Sequence, residues 1–248
     1  MRYFFEISYD GTNYHGWQRQ ENAIAVQQVV EEALSTIYRR EISIVGSGRT
    51  DTGVHCEQQF FHVDLEDAAP EKLRTQLNSL LPKDISINAV FEVKKGTHAR
   101  FDAVQRTYQY RIHTAKNPFL SKFSYYCRKP MDLELMNKAS THLLGRQDFK
   151  SFSKVKTEVN NFICDTTLAK WTRVNDLLLF DITANRFLRG MVRAIVGTLL
   201  LVGQNKMSVD TFEQVISAKD RKQAGAAAPA HGLFLTLVSY PESIFVQK

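Results

Sequence analysis

The chain has 248 residues, of which 44% are hydrophobic and 23% charged, and its 32 Lys and Arg exceed its 26 Asp and Glu to give a formal net charge of +6. The apolar share can bury one large core or two smaller ones, and the basic balance favours a polyanionic partner whose phosphates it concentrates. Three cysteines (Cys56, Cys127 and Cys164) are an odd set with no CxxC pair; this argues against a disulfide framework or zinc ribbon and points to a reducing compartment.

Residues 2–9 read as a strand ending in the Asp10-Gly11 turn signal, with no basic leader or cleavage pattern before it. No apolar run approaches the roughly 18 residues needed to span a bilayer, so the expectation is a cytoplasmic protein without membrane contact. Val26, Val29, Val30, Ala33, Leu34 and Ile37 advance by threes and fours, which predicts a helix over 26–37. Ile42–Val45 reads as a short strand, followed by a glycine-bearing loop through Gly53. Phe61, Val63 and Leu65 alternate with polar residues as in a half-buried strand. A helix from Pro70 to Leu81 and a strand over 85–93 complete the first run.

The second half shows the same grammar: a strand over 107–113, a helix over 132–144, and a hairpin of 162–173 and 177–183 across Asn175-Asp176. A long helix over 186–202, a shorter one over 209–217 and a closing strand over 233–240 complete it. Phe119–Arg128 and Lys150–Asn161 read as irregular insertions, and Ala224–Ala230 as a small-residue linker. This order predicts the α+β class, with two related halves, 1–104 and 105–248, each a sheet with helices on one side.

In GSGRTDTGVH, Gly46, Gly48 and Gly53 surround Asp51. Glycines at this density let backbone approach a ligand closely. A dinucleotide loop is excluded, because the third glycine of GxGxxG falls on Asp51 and the residues after the loop are strand-like; no GK[ST] is present for a P-loop either. There remains a carboxylate on a tight loop, two residues after Arg49. It can serve as nucleophile or base, or it can simply satisfy local N–H groups as turn aspartates do. His55, Cys56, His62 and Asp64 lie close in sequence, but on a strand His55 and Cys56 point to opposite faces and cannot easily share an ion.

The loop resembles the GRTDxGVH segment of the tRNA pseudouridine synthase A family. SYDGTNYHGWQRQ at 8–20, HARFDAVQRTYQYRI at 98–112, ANRFLRGMVRAIVGTLLLVG at 184–203 and GLFLTLVSYP at 232–241 resemble further motifs of that family, in family order and over nearly the whole chain. The resemblance implies two ferredoxin-like (RRM-like) halves joined by a central mixed or antiparallel sheet, with an active-site cleft between them. It implies isomerisation of uridine to pseudouridine in the anticodon stem-loop of tRNA (family positions 38–40) by a homodimer, without cofactor or metal. Asp51 falls on the family's catalytic aspartate, Tyr108 on its active-site tyrosine and Arg193 on the basic partner of the aspartate. Arg49, by resemblance, contacts RNA or fills the space of a flipped base; bracing the loop is its alternative.

On the predicted 186–202 helix, Arg186, Arg189 and Arg193 fall at i, i+3 and i+7, a stripe beside a broad apolar face that can either be solvated or dip into a cleft towards phosphates. Tyr14, His15 and Trp17 either line a cleft or pack in the core. Lys150, Lys154 and Lys156 are candidate tRNA backbone contacts. Two departures from the family pattern are Thr52, where alanine is usual, and Ala230-His231, where proline-glutamate is common. Two other functions fit the residues less well: a non-catalytic RNA-binding protein, and an aspartate-nucleophile hydrolase, which would want several carboxylates around a metal.

Overall fold

The computed structural model describes residues 1–154, 159 and 161–246. It is a mixed α+β protein of mostly antiparallel strands, with five α-helices among the described residues. The chain forms two compact units, Met1–Gln105 with the C-terminal segment from Leu235, and Arg106–Phe234. The closing strand, from Leu235 onward, groups with the first unit.

In the first unit, β1 (Arg2–Tyr9) lies between β3 (His55–Asp64) and β4 (Ile85–Val93), antiparallel to both. The order is β4-β1-β3-β10, where β10 is Leu233–Ser239, and β2 (Val45–Gly46) pairs with β3. Phe4 and Phe5 point to opposite faces of β1, yet both are fully buried. Phe5 stacks on Phe61, with centroids 4.9 Å apart, while Phe4 meets Tyr240 edge-on at 5.1 Å. With Phe60 and His62 also buried, β3 is covered on both faces, not half-buried as its alternation suggested.

Helix α1 (Val26–Tyr38) buries Val26, Val30, Ala33 and Leu34 and stops at Arg39, whose φ is +52°. Its buried polar stripe corrects the strand expected at 42–45. The Gln27 side chain donates to the Ile44 carbonyl, Glu31 accepts from the Ile44 N–H, and the Ile42 N–H donates to Ser35. This stretch thus satisfies its backbone on a helix, and only Val45–Gly46 reaches the sheet. Helix α2 (Leu73–Leu80) starts after a turn at Pro70, and its Asn78 clamps both backbone groups of Ile87 on β4.

In the second unit, β5 (Gln105–His113) pairs with β9 (Leu177–Ala184), β9 with β8 (Ile163–Val174) and β8 with β7 (Gly145–Asp148), all antiparallel. The two-residue β6 (Tyr125–Tyr126) runs parallel to β5. The β8–β9 hairpin turns at Asn175-Asp176, with Asn175 at φ +53°, a left-handed conformation that asparagine tolerates. Helix α3 (Leu133–Thr141) is capped by Asp132, and α5 (Val209–Ala218) by Ser208. They pack with α4 (Met191–Gly203), of whose residues ten are buried.

Helix α4 begins five residues later than its periodicity predicts. Gly190, at φ +71°, breaks the path into the helix, and Asn185 bends the preceding chain by accepting from the Asp165 N–H. Arg186 and Arg189 therefore lie on an irregular segment, and the expected three-arginine helical stripe does not form. Ala224–Ala230, expected as a small-residue linker, is bonded to α4 at Gly225 and Ala228. No helix among the described residues is long and apolar enough to cross a membrane.

Candidate active site

Asp51 lies in the loop between β2 and β3 and is half-buried. The loop is held against residues 9–17 by a set of close backbone approaches. The Trp17 N–H donates to the Thr50 carbonyl at 3.3 Å, and the Gly53 N–H to the Tyr14 carbonyl at 3.2 Å. The Tyr9 and Thr50 hydroxyls lie 2.8 Å apart in a buried hydrogen bond. The Val54 N–H closes a turn on the Asp51 carbonyl, and Gly53 at φ +75° supplies the positive dihedral that the turn's third position needs.

Three glycines permit this approach. A Cβ on Gly16 would lie 2.3 Å from the Thr50 carbonyl oxygen, one on Gly11 2.0 Å from the Val54 oxygen, and one on Gly46 2.4 Å from the Trp17 indole nitrogen. His55, at the start of β3, is almost fully buried. Its Nδ1 sits 3.1 Å from the Gly11 N–H and 3.0 Å from Asp10 Oδ1. A neutral ring accepts from Gly11 there and a charged one would donate to Asp10; either way it joins β3 to the Asp10–Gly11 turn. Loop patterning pointed to Gly46 and Gly53 but not to Gly11, Gly16, Tyr9 or Thr50. The density of glycine and aromatic residues over 9–17 was the available signal.

Arg49 is exposed, and its Nε donates to Gln18 Oε1 at 3.1 Å. Trp17 and Tyr14 are buried and serve packing: Trp17 lies under Gly46, and the Tyr14 hydroxyl donates to Asp84 at 2.6 Å. Burial, reinforced by Asp84, raises the Tyr14 phenol well above its ordinary range, so its proton stays in place. His15 is exposed. On the same strand as His55, His62 accepts from the Ala99 N–H, and burial with the nearby Arg2 lowers its pKa to about 4. Among the described residues no group of three His, Cys, Asp or Glu could hold a metal, and burial raises the thiols of Cys56 and Cys164.

In the second unit, Tyr108 sits on β5 opposite Ile182, half-buried, with the Phe187 ring edge-on at 5.1 Å. Arg193, in the first turn of α4, donates from Nε to the Ala228 carbonyl at 2.7 Å, while its own carbonyl accepts from the Ala228 N–H at 2.9 Å. Arg186 is half-buried and Arg189 exposed; the Arg189 carbonyl accepts from the Lys154 N–H. Lys150 starts a short 3-10 turn, its ammonium 5.7 Å from the centre of the Phe162 ring; Lys156 lies outside the described residues. His231 meets Tyr125 edge-on at 6.4 Å, and burial lowers its pKa.

A family model described as tRNA pseudouridine synthase matches residues 7–102 and 139–241, and the chain belongs to this family. A Bacteroides thetaiotaomicron protein named tRNA pseudouridine synthase A is 48% identical over all of this chain and 94% of its own length. Proteins of that name from Bacteroides fragilis and Colwellia psychrerythraea are 47% and 40% identical, over 99% and 100% of this chain and 98% and 97% of their own lengths. Among solved structures, a chain of a Cbf5-Nop10-Gar1 complex gives a TM-score of 0.34 at 10% identity, covering 94% of this chain and 57% of that one, a likeness too slight to carry an argument.

Proposed function

We propose that the protein isomerises uridine to pseudouridine in the anticodon stem-loop of tRNA (family positions 38–40), with Asp51 as nucleophile. The observation that carries this reading is the match, over nearly the full length of both chains, to proteins named tRNA pseudouridine synthase A. The reaction breaks the N1–C1′ bond, turns the uracil and joins C5 to C1′. A carboxylate that adds to the base or to the sugar carbon divides this into easier steps. The target must leave the helical stack, at a cost of a few kcal/mol.

A tightly held loop suits Asp51 to this task, because a nucleophile gains from fixed geometry. By family resemblance, Arg193 is the cation that pairs with Asp51, Tyr108 packs on the flipped ring, and Arg49, Arg186 and Arg189 meet the RNA. The resemblance likewise supports two ferredoxin-like halves, 1–104 and 105–248 in sequence order, and a cytoplasmic homodimer in which one tRNA meets both subunits, with no cofactor.

The test is to incubate the protein with unmodified tRNA and map pseudouridine chemically. Product confined to the anticodon stem-loop is expected. Product elsewhere in the tRNA would overturn the assigned position, and none at all would overturn the activity.

A further inference from the structure

The proposed role of Arg193 demands a fixed guanidinium, since an arginine side chain has many rotamers and only some aim its terminal nitrogens at a given carboxylate. Residues 225–229 come after α5 and lie along α4 between Arg193 and Leu201 as a strap. The strap is tied at three points. The Gly225 N–H donates to Thr198 Oγ1 at 2.9 Å, and that hydroxyl donates in turn to the Ala194 carbonyl at 2.7 Å. Ala228 exchanges two hydrogen bonds with Arg193, one through backbone and one through Nε. The Tyr110 hydroxyl, from the fully buried side chain on β5, donates to the Pro229 carbonyl at 2.8 Å.

The contact leaves no slack. A Cβ on Gly197 would lie 1.7 Å from the Ala226 carbonyl oxygen, so only glycine lets the strap lie this close to the helix. Beyond the strap, a Cβ on Gly232 would meet the Tyr110 ring at 2.8 Å and the Arg111 carbonyl at 2.9 Å, which fixes its far end as well.

We infer that the Gly225–Pro229 strap, seated on Gly197 and held by Tyr110, positions Arg193 for the reaction by fixing the plane of its guanidinium through Nε. This inference rests on the reading of Arg193 as the cation that serves Asp51. A guanidinium is planar, so a carbonyl that holds Nε sets the directions in which Nη1 and Nη2 donate. Tyr110 and Gly197 are positioning residues here, acting only through Arg193. Ordinary linker chemistry would not require the bonds at Ala228 and Pro229 or a glycine on the helix face beneath.

The test uses Tyr110→Phe, which removes one hydroxyl and keeps the ring, alongside Gly197→Ala. Single-turnover pseudouridine formation and tRNA affinity are measured on each, alone and combined with Arg193→Lys, a residue with no Nε donor to engage Ala228. Expected is a fall of roughly 10- to 100-fold in the chemical rate, tRNA Kd within about twofold, and little further loss when either change is added to Arg193→Lys. If Gly197→Ala does not fold, Tyr110→Phe decides. A wild-type rate, a loss in affinity matching the loss in rate, or losses that multiply with Arg193→Lys would each overturn the strap's role while leaving Arg193's intact. An Arg193→Lys enzyme with unchanged turnover overturns the strap's role, because an ammonium has no plane to fix, whereas unchanged turnover in Arg193→Ala, which removes the charge, overturns the ion-pair reading itself.

Discussion

Replacing Gly16 with alanine should damage catalysis through the Asp51 loop without touching a reacting atom. Gly16 has φ +86°, where an L-residue costs about 1–2 kcal/mol. Its new methyl would lie 2.3 Å from the Thr50 carbonyl oxygen and 3.1 Å from the Asp51 carbonyl carbon, whereas ordinary contact begins at 3.4 Å. Relief requires the loop to retreat by about 1 Å, and a misplacement of that size costs on the order of 100-fold in rate. It also stretches the Trp17 N–H bond to Thr50. Gly96 supplies the control: its φ is +89°, but a Cβ there meets nothing within 4 Å. Both alanine variants should lose about 1–2 kcal/mol of stability from the dihedral alone, with some added loss in Gly16→Ala. Only Gly16→Ala should slow single-turnover pseudouridine formation, by roughly 10- to 100-fold. A Gly16→Ala enzyme at wild-type rate, or a Gly96→Ala enzyme equally slowed, would refute the claim that close packing against residues 9–17 positions Asp51.

Glu31→Ala strands the buried Ile44 N–H and the Gln27 amide that Glu31 accepts from, and should cost about 2–3 kcal/mol. Glu31→Gln, which keeps an acceptor, should cost less in a urea titration, and equal losses would contradict the bonding described. The folded pKa of His62, about 4, lies below the ordinary 6.5, so the unfolded chain takes up its proton first as pH falls. Stability from this group is full above about pH 6.5 and is lost progressively down to about pH 4, by as much as about 3 kcal/mol. Asp64, held low by its hydrogen bonds with Arg2, adds loss in the same direction at more acid pH. The pH 7 to pH 5 drop in urea midpoint should therefore be smaller in His62→Gln, and an unchanged drop would count against it. Arg193→Ala should cut turnover with tRNA affinity largely kept; loss of affinity alone would point to phosphate binding.

Elements whose local signals agree with their packing were legible in the sequence. Helix α1 matches its apolar spacing, the β8–β9 hairpin turns at Asn175-Asp176, and α5 begins at the Ser208 cap. Misread elements were those whose backbone partners come from afar. Apolar residues predicted a strand at 42–45, but Gln27 and Glu31 seventeen and thirteen positions away take the hydrogen bonds of Ile44. Periodicity carried α4 back to Arg186 because Phe187 and Leu188 suit a helix, while Gly190 and the Asn185 bond to Asp165 decide otherwise. The small residues of 224–230 read as a linker because smallness signals equally a flexible joint and a close contact; Gly197 beneath them tells the two apart. At the candidate site, the motif pointed to Asp51, while the close packing of its loop with residues 9–17 depends on Gly11, Gly16 and Gly46, where the information is the absence of a Cβ.

The most direct measurement of the central claim is single-turnover pseudouridine formation by Asp51→Asn beside the wild-type protein, with tRNA affinity measured on both. Asparagine keeps the size of the side chain and removes its nucleophilic charge. Wild-type protein should form pseudouridine in the anticodon stem-loop, and Asp51→Asn should bind tRNA within about threefold of wild type and form none. An Asp51→Asn protein that makes pseudouridine at the wild-type rate would contradict the account.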